Sequence, residues 1–284
     1  MEHQTLLSAE LTEAQFNAIS SLVKSLAGIN LTETKKELVR ARLTKRLRKL
    51  GLATFDDYVE YLQNDTTGSE LVAMLDVLST NTTYFFREAK HFEWLRQDVL
   101  PRLTARRRVR IWSAGCSSGE EPYSIAIVLL EAIPDLADWD AAILATDLST
   151  EVLARARKAI YPASRLREVP PMLLGRHFTL VATKPERTYR VNDPVRRLVH
   201  FARLNLMGQW PMKGPFDVIF CRNVMIYFDR PTRQDLIARF HSILAPGGTL
   251  FIGHSESLTG ISHSFRYVLP TVYRKPATGQ EAAQ

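Results

Sequence analysis

The chain has 284 residues, 45% of them hydrophobic and 24% charged, the composition of an ordinary folded protein with room for two packed units. No apolar run approaches the roughly 20 residues that cross a bilayer, and the first 15 residues hold Glu2, Glu10 and Glu13 but no Lys or Arg, unlike a secretory leader. A cytoplasmic protein without membrane insertion is therefore expected, and its net charge of +7 points to an anionic partner.

The first 80 residues read as helices. Thr12-Glu13-Ala14-Gln15 fits a capping box, Phe16, Ile19, Leu22, Val23 and Leu26 follow at helical spacing, and Gly28 is a stop. A second helix is predicted over 34–50, ending at Gly51, a third after a Thr54 cap, and a fourth over 70–78. With no strand signal here, residues 1–82 read as a helical domain. In the second helix Val39, Leu43, Leu47 and Leu50 form an apolar stripe, while Lys35, Arg42, Lys45, Arg46 and Lys49 fall on a separate arc. Eight basic residues against one acid, Glu37, lie between Lys35 and Lys49, which favours a docking role over a solvated face.

After a polar-aromatic run at 81–88 and a helix over 89–103, strands and helices alternate. Strands are predicted at 109–113, 141–146, 198–203, 216–221 and 249–253, and helices at 120–132, 150–159 and 231–244. That alternation implies a mostly parallel sheet with helices on both faces. Short alternating runs at 178–181 and 188–191 read as a small antiparallel insertion at about 176–199, and 265–273 as an edge hairpin.

The first predicted strand runs into Ser113-Ala114-Gly115-Cys116-Ser117-Ser118-Gly119-Glu120-Glu121, a tight turn followed by a helix start. Thirty-two residues past Gly115, the second strand ends in Asp147, a carboxylate suited to both hydroxyls of a ribose. A nicotinamide enzyme would carry G-x-G-x-x-G, and here there are only Gly115 and Gly119. Glu121 near the helix start repels a pyrophosphate but suits an ammonium group. S-adenosylmethionine has an ammonium, an adenosine ribose and no phosphate. The competing readings are an N-cap role for Asp147, which Ser149 or Thr150 could fill instead, and a helix-dipole role for Glu121. Cys116 and Cys221 read as small reduced residues near this pocket, and neither they nor the histidines stand at metal-ligand spacing, so no metal is expected.

Three motifs carry a specific resemblance: Asn81-Thr82-Thr83-Tyr84-Phe85-Phe86-Arg87-Glu88, Gly119-Glu120-Glu121-Pro122-Tyr123-Ser124 and Phe220-Cys221-Arg222-Asn223-Val224-Met225-Ile226-Tyr227-Phe228. In these the chain resembles the bacterial chemotaxis receptor glutamate O-methyltransferases, from about Leu11 to Tyr273. The resemblance implies an α/β fold: a Rossmann-like S-adenosylmethionine-dependent methyltransferase sheet over 83–284, an N-terminal all-helical receptor-docking domain, and a small inserted antiparallel β-subdomain. It implies cofactor contacts from Asn81, Thr83, Arg87, Glu121, Asp147, Asn205, Leu206, Asn223 and Val224, with Arg87 and Tyr227 at the methyl-transfer site. The implied products are glutamate methyl esters and S-adenosylhomocysteine, made for sensory adaptation. The implied partners are acidic receptor methylation helices, met by Arg42, Lys45, Arg46 and Lys49, at membrane receptor arrays. Some relatives also dock a receptor's C-terminal tail on the β-subdomain through a loop often carrying Gly-x-Gly, which reads Val181-Ala182-Thr183 here. A nucleic-acid methyltransferase would explain the charge equally well. Methylation of a base amino group commonly uses an Asn/Asp-Pro-Pro-aromatic motif after the fourth strand, and Asn223-Val224-Met225-Ile226 stands there instead. No nucleic-acid partner is expected.

Overall fold

The computed structural model describes residues 10–66, 68–78 and 83–277. Local chemistry sets the first helices. Helix α1 (Glu13–Ala27) opens with the expected capping box, in which Thr12 Oγ1 accepts from the Gln15 N–H at 3.3 Å and Gln15 Oε1 from the Thr12 N–H at 2.9 Å. It ends at Gly28, and α2 (Lys36–Leu50) ends at Gly51, both in the left-handed conformation. Helix α3 (Phe55–Asn64) has its own box from Thr54 and Asp57, and α4 (Ser69–Leu78) completes the set. Phe16, Ile19, Val23, Val39, Leu43, Leu47, Phe55, Tyr58 and Met74 close into one core.

One expectation for α2 is overturned. Arg46, placed by the helical wheel beside Lys45 and Lys49, is only 9% exposed. Its Nε donates to Glu70 Oε1 at 2.9 Å, its Nη2 donates to Glu70 Oε2, and the Tyr58 hydroxyl donates to Oε1 at 2.8 Å. Packing of α4 on α2 turns this arginine inward, where a buried carboxylate meets its charge. Lys45, Arg48 and Lys49 stay exposed, and half-buried Arg42 donates to the Leu78 carbonyl at 2.6 Å.

Helix α5 (Ala89–Trp94) leads to the sheet. Its parallel strands are β1 (Arg108–Ala114), β2 (Asp140–Asp147), β6 (Val199–Arg203), β7 (Phe216–Cys221) and β8 (Leu244–Ile252). Helices α6 (Glu120–Ala132), α7 (Thr150–Lys158) and α10 (Arg230–Ile243) connect them. β9 (Arg266–Leu269) and β10 (Val272–Arg274) form the hairpin, giving the order β6-β2-β1-β7-β8-β10-β9. From β1 the chain winds outward through β2 to β6, then returns to the far side of β1 as β7. The strand order reverses between β1 and β7, and a crevice opens there at the strand C-termini.

The inserted unit is larger than the expected 176–199. It is a three-stranded sheet, β3 (Ile160–Pro162), β4 (Phe178–Ala182) and β5 (Thr188–Val191), in the order β3-β5-β4. Ile160 and Pro162 pair with Arg190 and Thr188. A three-residue strand ending in proline carries no readable alternation, so its pairing is visible only in the fold. Helix α8 (Pro171–His177) and the short α9 (Asp193–Arg197) flank β4 and β5.

The Arg46–Glu70 pair should dominate the stability of the helical domain. Glu70→Ala leaves a buried guanidinium and a buried phenol unpartnered and should cost about 3–5 kcal/mol in urea unfolding. The double replacement Arg46→Met with Glu70→Leu should cost distinctly less. Equal losses would show that packing volume, not the orphaned charge, sets the cost.

Candidate active site

The crevice is built outward from Gly115. At φ +86 it turns the chain off β1, and its N–H donates to the Thr146 carbonyl at 2.8 Å. A Cβ there would sit 2.4 Å from Val224 Cγ2, so glycine is needed for conformation and for close approach.

Asp147 ends β2. Its Oδ2 accepts from the Ser117 N–H at 2.8 Å and its Oδ1 from the Ser149 N–H at 3.0 Å, which fixes the carboxylate at the cavity wall. The N-cap of α7 is Ser149, whose Oγ accepts from the Val152 N–H at 3.3 Å, so capping does not explain Asp147. Burial pushes the Asp147 carboxyl up, against the pull of these backbone N–H groups.

Glu121 lies in the first turn of α6. Its Oε1 accepts from the Ser113 hydroxyl at 2.7 Å and its Oε2 from Arg222 Nη1 at 3.2 Å. Burial raises this carboxyl too, and Arg222 opposes the shift. The same guanidinium donates from Nε to Glu88 Oε2 at 3.2 Å and from Nη2 to the Arg87 carbonyl, and lies 5.5 Å from the Phe92 ring centroid. Burial acts to raise Glu88, but Arg222 and the His254 N–H outweigh it and hold the carboxyl below its usual value.

One cavity is lined by Thr83, Arg87, Glu121, Asp147, Asn205, Leu206, Asn223, Val224 and Tyr227. These are the residues expected from the sequence, except Asn81, which lies outside the described residues. Asn205 is steadied by donating from Nδ2 to the Leu26 carbonyl at 2.5 Å. Asn223 adopts φ +59, and Tyr227 closes a short turn, Met225–Tyr227. Cys116 also lines the cavity, whereas Cys221 is buried in the sheet core.

The helical domain supplies part of the wall through Ile29, Lys35, Leu38 and Leu78. Ile29 forms a bridge to Phe228, the Asn30 N–H donates to the Tyr227 carbonyl at 2.8 Å, and Lys24 pairs with Asp229 at 2.8 Å. The Lys35 ammonium lies 5.4 Å from the Tyr227 ring centroid.

Sequence reasoning assigned no role to Arg222 or Glu88. A signal was present: an arginine directly after the wholly apolar end of a buried strand, Val218–Cys221, must have carboxylates waiting for it. The fold also gathers Glu88, His91 and His254, whose ligand atoms lie within 4.8 Å of one another, a grouping invisible in their spacing. Arg222 already holds the Glu88 carboxylate, and a guanidinium there repels a metal ion. Burial and then Arg222 push His91 down to about 3, so its imidazole is neutral at pH 7.

A doubly wound sheet whose crevice holds a carboxylate after its second strand, a helix-start carboxylate and no glycine-rich pyrophosphate turn defines the class of S-adenosylmethionine-dependent methyltransferases. Family models agree with that class and narrow it. A model described as the CheR methyltransferase, SAM binding domain matches residues 81–274, and one described as its all-alpha domain matches residues 14–79. The chain is 47% identical over 263 residues to a probable chemotaxis protein methyltransferase of Rhizobium etli, covering 91% of this chain and 98% of that one. It is 40% identical over 277 residues to the chemotaxis protein methyltransferase of Borreliella burgdorferi, covering 95% and 96%. For the chemotaxis protein methyltransferase of Escherichia coli the identity is 42% over 268 residues, covering 93% and 91%. The chain belongs to the CheR chemotaxis methyltransferase family, and S-adenosylmethionine is its cofactor. Among the described residues, no helix is long and apolar enough to cross a membrane.

Asp147→Ala should weaken S-adenosylhomocysteine binding by about 1–3 kcal/mol in titration calorimetry, the range for lost charge-assisted hydrogen bonds. Unchanged affinity would remove Asp147 from the site. Affinity should also depend on pH. Glu121 and Asp147 both titrate above the ordinary carboxylate range, and their ionised forms are the ones that accept hydrogen bonds from an ammonium or a hydroxyl. Binding should therefore be full above the raised values and fall as pH drops through them. The linkage to folding has the opposite sign. Raised carboxyls stabilise the empty fold below their unfolded values, and that contribution is lost as pH rises through the folded ones. A flat affinity profile would mean that neither carboxylate contacts the ligand.

Proposed function

We propose that the protein methylates glutamate side-chain carboxylates of chemotaxis receptors, giving glutamate methyl esters and S-adenosylhomocysteine for sensory adaptation. The observation that carries this reading is one cavity lined by the acids Glu121 and Asp147, suited to a cationic cofactor, and by Arg87 and Tyr227, the Tyr227 ring lying 5.4 Å from the Lys35 ammonium just before the basic helix α2. Among the described residues, no histidine lines the cavity. A hydroxyl acceptor calls for a base to make it nucleophilic, whereas a carboxylate is already an ionised nucleophile at pH 7.

The donor set suits the cofactor. The Asp147 carboxylate, with one backbone N–H on each oxygen, keeps lone pairs for ribose hydroxyls. Glu121, whose ionised form Arg222 favours against the effect of burial, suits the ammonium. Asn205 and Leu206 flank the adenine, and Thr83, Asn223 and Val224 complete the binding wall, with Asn81 assigned there by its motif. S-adenosylmethionine, when bound, supplies a methyl group already activated on a sulfonium. The remaining task of the protein is alignment and exclusion of water. Arg87 orients the incoming carboxylate through its planar guanidinium, and Tyr227 donates its hydroxyl and walls the approach.

Docking of acidic methylation helices falls to Lys45 and Lys49, with Arg42 beside them, and not to Arg46. These lysines lie on the helix whose N-terminal end borders the cavity through Lys35 and Leu38. The β3-β5-β4 sheet, with Leu180 and Val181 exposed, is the proposed seat for a receptor tail peptide. The protein would act in the cytoplasm and be recruited to receptor arrays.

The test is incubation with labelled S-adenosylmethionine and receptor-rich membranes, RNA or DNA, followed by base treatment. Base-labile label confined to receptors is expected; base-stable label on nucleic acid would overturn the reading. Arg87→Ala should lower turnover about a hundredfold while the melting temperature barely moves. Normal methylation by that folded variant would dismiss its substrate role. Reversing Lys45 and Lys49 to Glu should raise the receptor KM and flatten its salt dependence, with cofactor affinity unchanged. Unaltered kinetics across a salt series would reduce the basic arc to a solvated face.

A further inference from the structure

Glu256 lies in the turn after β8, is 8% exposed, and does not line the cavity. Its carboxylate instead gathers backbone N–H groups from two segments. Oε2 accepts from Gly253 at 2.5 Å and from Asn223 at 3.0 Å, and Oε1 accepts from Ile226 at 3.2 Å. Burial pushes this carboxyl up, and the backbone groups of Gly253, Asn223, Met225 and Ile226 pull it back. A buried charge met by backbone dipoles, with its bonds spread over one short loop, fixes that loop's shape.

The loop is the one that carries the site. Residues 222–227 include Arg222, Asn223, Val224 and Tyr227, and all four line the cavity. Asn223 holds a left-handed φ of +59, a conformation a non-glycine residue keeps only when its surroundings impose it. Gly253 makes room for it: a Cβ there would fall 2.4 Å from Asn223 Nδ2 and 2.7 Å from its backbone N. The far end of the loop is tied to the helical domain through the Asn30 N–H on the Tyr227 carbonyl. Glu256 is thus the anchor on the sheet side of a loop whose other anchor lies in the helical domain.

We propose that Glu256 is a positioning residue: its carboxylate holds residues 222–227 in the shape that presents Asn223 and Tyr227 to the cofactor, while touching neither cofactor nor substrate. The proposal rests on the cofactor and on the assignment of Asn223 to its binding wall. Its test does not depend on which carboxylate is methylated.

The experiment is a double-mutant cycle read by S-adenosylhomocysteine affinity in calorimetry, with the melting temperature measured alongside. Glu256→Gln replaces one acceptor oxygen by an amide that turns N–H groups toward N–H groups. It should weaken binding about tenfold or more, and Asn223→Ala should weaken it too. In the double variant the further loss caused by Glu256→Gln should be distinctly smaller than the loss it causes alone, because part of its effect passes through Asn223. A purely structural carboxylate would lower the melting temperature and leave the affinity of the folded protein intact. That result would overturn the proposal, as would full additivity of the two losses or an Asn223→Ala variant that binds normally. Should Glu256→Gln fail to fold, Glu256→Asp goes through the same cycle under the same criteria, since it keeps the charge but withdraws it by one methylene.

Discussion

The Arg222 guanidinium is the charge on which the site depends. Its side chain is 2% exposed, and it reaches Glu88, Glu121 and the Arg87 carbonyl together. A buried carboxylate without a cation would take up a proton, and a protonated Glu121 could not hold an ammonium by charge. The arginine also spans chain segments far apart in sequence. It ties the segment before α5, the start of α6 and the end of β7 into one rigid corner of the crevice. Under the proposed function, Glu121 and Arg222 would present a pre-set field to the cofactor's cationic end, with Glu88 balancing the arginine from outside the cavity lining.

The helical domain forms part of the cavity wall, beyond the docking role proposed for it. Ile29, Asn30 and Lys24 clasp the Tyr227–Asp229 stretch, and the Leu26 carbonyl holds Asn205. Two separate stretches of the cavity lining, around Asn205 and around Tyr227, thus take part of their geometry from the last turn of α1 and the residues just after it. The same domain brings the N-terminal turn of α2 to the cavity, with the exposed lysines further along that helix. Under the proposed function, an acidic helix drawn to Lys45 and Lys49 would find the methyl-transfer site at the other end of the same helix. Docking and chemistry would then share one rigid element, which suits a reaction whose main demand is alignment.

Much of this was legible from the chain alone. Helical periodicity and the capping boxes at Thr12 and Thr54 marked the first domain, because caps and stripes are local signals. The buried runs of β1, β2 and β7 marked a parallel sheet, and Asp147 and Glu121 stood out because strand ends and helix starts have known places in such folds. Other features depend on what arrives from elsewhere. Arg46 reads as one more surface cation until α4 brings Glu70 to it. β3 is three residues whose strand character comes wholly from pairing with β5.

The sequence by itself determined the elements, the class of sheet and the two acids, Glu121 and Asp147, that the fold brings to the cavity, since each stands at a strand end or helix start legible within one segment. Only the tertiary structure decided which charges are buried and with whom: Arg46 with Glu70, Arg222 with Glu88 and Glu121, and the Glu256 carboxylate on the loop of Asn223. The physical reason is that a charge's partner is set by distance in space. The segments that meet around Arg222 lie 134 and 101 positions away in the chain.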